Sequence, residues 1–138
     1  MKETQRKIMG LIISFVMIIT IMPQTIWASD AGSREDAVKW AYAQEGKFLD
    51  YDKVYGAQCV DLVHYYYAYF GKASYATGNG CDFVNNKLPD GWTRIKNTAD
   101  FVPQPGDIAV WGKELSQYGH VAIILSADAH SFVSMDQN

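Results

Sequence analysis

A cysteine becomes a nucleophile when its thiolate is stabilised and a base stands close enough to take its proton. Cys59 meets the first condition on sequence grounds. In LDYDKVYGAQCVDLVHYYYAYFG it sits where a loop rich in Asp and Gly gives way to an amphipathic helix. The unpaired N–H groups and partial positive charge at a helix start favour the ionised sulfur. Three histidines compete for the base. His64 follows five residues later on the same helix, about 140° round the axis, and so faces away as a surface or packing residue. His130 falls in the turn ADAH and reads as solvated. His120 opens the most apolar strand, directly after Gly119, whose lack of a side chain permits close approach. A histidine there can face a helix N-terminus across a groove.

A base also needs a group that orients it. If residues 120–126 and 131–138 form a hairpin across the turn at 127–130, opposed residue numbers total 256 to 258. His120 then faces the stretch 136–138, where Asp136 and Asn138 share one face because side chains alternate along a strand. Either can take the imidazole N–H and fix the tautomer, as the orienter does in a hydrolase triad.

The elements that must hold these groups follow from pattern. Ser33 caps a helix with Asp36 reaching back. Ala37, Trp40, Ala41 and Phe48 form its apolar face, and Gly46 ends it. A second helix runs from Cys59 to Phe70 and stops at Gly71, with Leu62, Val63, Tyr66, Tyr69 and Phe70 on one face. A short third helix is expected over Cys81–Lys87, then a loop to Gly106. Strands follow at Asp107–Trp111, His120–Ser126 and Ser131–Asp136, the second apolar enough for burial on both faces. Helices first and antiparallel strands later make an α+β domain.

The 138 residues suffice for one domain. Residues 1–28 have the layout of a secretory signal peptide: Lys2, Arg6 and Lys7, then the uncharged stretch Ile8–Met22, then small residues at Ala28 and Ala31. That stretch is shorter than the roughly 20 residues that span a bilayer, and the alternative reading is an uncleaved anchor. Either way residues 29–138 work outside the cytoplasmic membrane, with no membrane contact after cleavage. Of 12 Lys/Arg and 15 Asp/Glu, three basic residues and Glu3 lie in the leader, leaving the exported part acidic by five charges. Such a surface argues against nucleic acid, whose binding requires phosphates to be neutralised. Two cysteines in an exported chain raise a Cys59–Cys81 disulfide, but Cys81 reads better as a small buried residue beginning the short helix. Trp92, Trp111 and Tyr118 read as packing residues that could also line a groove. Neither CxxC nor HExxH spacing occurs, which argues against zinc.

AQCVDL, PQPGDIAVW, YGHVAIIL and MDQN, in that order, resemble the signature series of the CHAP domain, the cysteine, histidine-dependent amidohydrolase/peptidase family. The resemblance runs from about Ser33 to Asn138. It implies a papain-like fold with N-terminal helices packed on a small antiparallel sheet. It also implies Cys59 as nucleophile, His120 as base, Asp136 as the acidic third member and Asn138 as the polar member after it. The family more often has Glu where this chain has Asp136. Its members usually continue through further strand beyond the position of Asn138, so a C-terminally truncated domain or weak activity is one reading.

Asp50, Asp52, Val54, Gly56, Gln58 and Asp61 stand at positions 1, 3, 5, 7, 9 and 12 counted from Asp50, the ligand spacing of a calcium loop. The loop is not a standard EF-hand, since Tyr55 replaces the glycine of position 6 and Asp61 the glutamate of position 12. Some members of the resembled family bind calcium just ahead of the nucleophile. That implies a structural ion held by Asp50, Asp52 and Asp61 with the carbonyls of Val54 and Gly56, and no organic cofactor.

The resulting expectation is a secreted, monomeric bacterial enzyme that cleaves amide bonds in peptidoglycan, as an amidase or an endopeptidase. The alternatives are a weak or inactive wall-associated module with a Cys59–Cys81 disulfide, and a secreted protease acting on proteins.

Overall fold

The computed structural model describes residues 32–138; the leader expected at 1–28 lies outside them. Helix α1 spans Arg34–Tyr42 and α2 spans Cys59–Tyr69. A short 3₁₀ turn occupies Gly80–Val84, and strands β1 (Ile108–Trp111), β2 (His120–Ala127) and β3 (Phe132–Met135) follow. The strands form one antiparallel sheet in the order β1-β2-β3. This is the α+β arrangement expected, two helices with a small antiparallel sheet, consistent with a papain-like fold.

Each helix begins where its cap chemistry directs. The Asp36 N–H donates to Ser33 Oγ at 3.1 Å and the Ser33 N–H returns to Asp36 Oδ2 at 3.1 Å, a closed capping box. At α2 the equivalent return bond is the Gln58 N–H to Asp61 Oδ2 at 2.8 Å. That helix ends at Gly71, whose φ of +64° costs a glycine little. The third helix proves shorter than Cys81–Lys87 and of 3₁₀ type, starting at Gly80.

Strand β2 is the spine. Val121, Ala122, Ile123, Ile124 and Leu125 are all buried, as its unbroken apolar run anticipates. Ile123 and Leu125 pack with Ala37, Ala41, Leu62 and Tyr66, while Val121 packs with Val60, Val63, Tyr67 and Phe83. Two clusters therefore lie along one strand, with α2 contributing to both. Burying each of the larger aliphatic side chains and Phe83 contributes about 1.5–3 kcal/mol. The expected faces need two corrections. Phe48 is 90% exposed, because the chain leaves helical geometry after Tyr42 and no longer presents it beside Ala41. On α2 the buried aromatic after Tyr66 is Tyr67, whose ring meets Trp92 edge-on at 5.0 Å, whereas Tyr69 is half exposed beside Trp40.

The β2–β3 register has Ile123 opposite Met135 and Ile124 opposite Ser134, then shifts by one between Ile124 and Ser126. Opposed numbers thus total 258 on the side nearer His120, the upper end of the expected range, and 259 on the turn side. The shift leaves Leu125 without a partner, a bulge that increases local twist.

Candidate active site

Cys59 is the first residue of α2 and half-buried; His120 is the first residue of β2. Both line one cavity of about 820 Å³, together with Tyr55, Gln58, Tyr118 and Asn138. Backbone hydrogen bonding to the Cys59 sulfur comes from Val121, the residue after His120, and from Val60 and Cys59 itself at the helix start. The sulfur therefore lies against the strand end that carries the imidazole.

Burial pushes the Cys59 thiol up from its ordinary range and outweighs the backbone N–H groups that pull it down, with nearby Asp136 adding a further push upward. The helix terminus acts in the direction expected from sequence, and burial of the sulfur opposes it; that desolvation could not be read from position in the helix alone.

His120 Nε2 lies 3.1 Å from Asp136 Oδ2. The contact is diagonal: in the local register His120 would stand opposite residue 138, and Asp136 reaches it from two positions away. Asn138 lines the cavity without a hydrogen bond to the ring. Nε2 is thus the ring nitrogen engaged by the carboxylate. The Trp111 ring packs beside the imidazole, centroids 5.8 Å apart, and also beside Phe132.

Two glycines set the position of this histidine. A Cβ on Gly80 would stand 2.8 Å from His120 Cα, so the 3₁₀ turn presses directly on the histidine backbone. Gly119, at φ +65°, lies where a Cβ would come within 2.5 Å of Cys81 Cβ. Close approach at Gly119 is thus made to the turn bearing Cys81. Both cysteines are free, Cys81 buried at 7% exposure, so the Cys59–Cys81 disulfide of the alternative reading does not form.

The remaining histidines are engaged elsewhere. His64 Nδ1 lies 2.7 Å from Ser74 Oγ and its ring stacks on Tyr51 at 5.1 Å, with burial pushing it below its ordinary range. His130 is exposed in the turn, its N–H donating to Asp128 Oδ1.

Carboxylate oxygens of Asp50, Asp52 and Asp61 converge ahead of the nucleophile, all within 4.8 Å of one another. Asp61 is buried and accepts the N–H groups of Tyr51 at 3.1 Å and Gln58 at 2.8 Å. Val54 lies in the same loop, its N–H donating to Asp52 Oδ1, and Gly56 takes φ +74°. Lys53 and Tyr55 also have positive φ, a strained loop for side-chain-bearing residues. None of the three carboxylates has an ion-pair partner among the described residues. Three convergent anions, one of them buried, form a hard oxygen donor set of the kind calcium takes.

One polar residue that sequence reasoning passed over connects these parts. The Gln137 side chain donates from Nε2 to the carbonyls of Leu49 at 2.6 Å and Gln58 at 2.7 Å, and its Oε1 accepts the Leu49 N–H at 3.2 Å. Its partners lie 79 and 88 residues away, a separation with no local signal.

Comparison with known proteins agrees with this geometry. The chain is 37% identical over 83 residues to the endolysin PlyTW of Staphylococcus phage Twort, an alignment covering 59% of this chain and 18% of that protein. The chain thus spans less than a fifth of the curated relative's length. The family model of the CHAP domain matches residues 46–138, which include the cysteine, the histidine and the acidic loop. With more than half of its length inside that match, the chain belongs to the CHAP domain family.

Proposed function

We propose that this protein is a peptidoglycan hydrolase that cuts an amide bond of the wall peptide through the Cys59 thiol. The observation carrying this reading is that Cys59 and His120 line one cavity, with the imidazole held from behind by Asp136. Family membership and the likeness to a protein named as an endolysin support the choice of substrate. The thiol gives its proton to His120 as Sγ attacks the scissile carbonyl. The Cys59 backbone N–H, at the start of α2, donates to the oxygen as it becomes an oxyanion. Collapse breaks the carbon–nitrogen bond, and His120 returns the proton to the leaving amine. Water, deprotonated by His120, then hydrolyses the thioester and restores the thiol. Asp136 holds the ring in orientation and favours the imidazolium formed between the two transfers.

In the same reading residues 29–138 form the working domain behind a cleaved leader, on the outer side of the membrane. Calcium binds Asp50, Asp52 and Asp61 with carbonyls of Val54 and Gly56. When bound, it neutralises the converging carboxylates and stiffens the loop leading to Cys59.

The test is mass spectrometry of fragments released from purified peptidoglycan of known structure. Each cut should expose one new amine and one new carboxyl group, at either the sugar–peptide junction or within the peptide. Release of new reducing sugar ends without new amines would contradict amide hydrolysis.

A further inference from the structure

Gln137 lies between the two residues expected to orient His120, yet its side chain serves the nucleophile loop. Both of its amide hydrogens and its oxygen are engaged. Nε2 gives one hydrogen to the Leu49 carbonyl and the other to the Gln58 carbonyl, while Oε1 accepts the Leu49 N–H. Leu49 and Gln58 bracket the acidic loop, so one amide ties both ends of it to the segment after β3. Asp136, on one side, holds His120; Asn138, on the other, lines the cavity.

The bond to Gln58 has a consequence for Cys59. The peptide joining them is planar and trans, so the Gln58 carbonyl and the Cys59 N–H point in opposite directions. Whatever holds the carbonyl fixes the aim of that N–H. The Asp61 N–H also donates to the same oxygen, at 3.1 Å from within the helix start. Gln137 supplies a second donor, shorter by 0.4 Å, from the strand side that carries His120's partner.

We propose that Gln137 is a positioning residue for the thiol hydrolysis put forward above, on which this inference rests. By holding the Gln58 carbonyl it aims the Cys59 N–H at the oxyanion, and it registers that donor against the Asp136–His120 pair. No existing bond changes in this role. Its contribution is to the geometry of a hydrogen bond that strengthens only as negative charge develops.

The test uses the full chain with Gln137→Met, which removes all three bonds at similar size, and Gln137→Glu. The glutamate keeps the acceptor for Leu49 but sets a carboxylate oxygen against the Gln58 carbonyl. Three quantities are read: kcat and KM on a soluble wall peptide, the rate of Cys59 alkylation by iodoacetamide, and Tm. Both variants should lose about tenfold to a hundredfold in kcat, less than deletion of an oxyanion donor, with KM within about twofold. Alkylation should stay within about twofold of wild type, because attack on iodoacetamide develops no oxyanion. Unchanged kcat in both variants would overturn the role. So would alkylation and kcat falling together, or failure of both variants to fold, since each marks a purely structural tie. Cys59→Ala separates the two levels: an active Cys59→Ala protein sinks the thiol mechanism and this inference with it. An inert one beside Gln137 variants of wild-type activity sinks the positioning role alone.

Discussion

Proton transfer between Cys59 and His120 depends on where the imidazole points, and among the described residues its one side-chain hydrogen bond is to Asp136. That carboxylate is about half exposed, so solvent screens its charge and its main contribution is orientation. An amide oxygen accepts the same N–H. Asp136→Asn should therefore lose less than Asp136→Ala, which should lose about one to two orders of magnitude in kcat/KM. Steady-state kinetics on a soluble wall peptide, with Tm measured alongside, checks this; an Ala variant as fast as wild type would remove Asp136 from the site. The pairing of residues 120 and 136 was legible from alternation along a hairpin, although the contact comes diagonally. The upward push of burial on the thiol was not legible, because burial at that helix start depends on β2 and on residues around Asn79 and Gly80.

The acidic loop and the start of α2 behave as one element, since Asp61 belongs to both. Its carboxylate receives N–H groups from Tyr51 in the loop and Gln58 at the cap. Calcium binding to the folded loop should raise Tm, and free ion at a hundred times its dissociation constant adds about 2.7 kcal/mol. Asp52→Asn, which removes an exposed carboxylate, should abolish most of that gain. Calorimetry with calcium and with chelator measures it, and identical melting in both would exclude the ion. The spacing of Asp50, Asp52 and Asp61 was visible in the sequence because the three residues are local. The clamp by Gln137 was not, since its partners are joined only through the finished fold. The same limit explains the helix faces: periodicity gave Tyr66 correctly but could not tell that Trp92 would cover Tyr67 and leave Tyr69 outside.

Across the whole domain, β2 joins two apolar clusters, and α2 closes both with paired tyrosines. Burial pushes Tyr66 far above the ordinary tyrosine range and Tyr67 up to about 12. The Tyr66 hydroxyl donates to the Gly106 carbonyl at 2.7 Å, tying α2 to the turn before β1. For both groups the folded pKa exceeds the unfolded one, so the native state holds its protons more tightly. Their stabilisation is complete below pH of about 10 and is lost as pH rises through the folded values. Thermal melting between pH 9 and 12 should show a steep fall, and Tyr67→Phe should make it shallower; a flat profile would contradict the burial of these hydroxyls. The fold class was legible because helices precede strands in the chain, and the exposure of Phe48 was missed because α1 ends at Tyr42. Cys59 as the nucleophile is the premise on which the proposed hydrolysis depends, and wall lysis by single-cysteine variants tests it most directly. Cys59→Ala should lower clearance of purified walls on the order of a thousandfold or more while keeping the wild-type Tm, and Cys81→Ala should stay active. Wild-type lysis by Cys59→Ala would contradict the mechanism at its root.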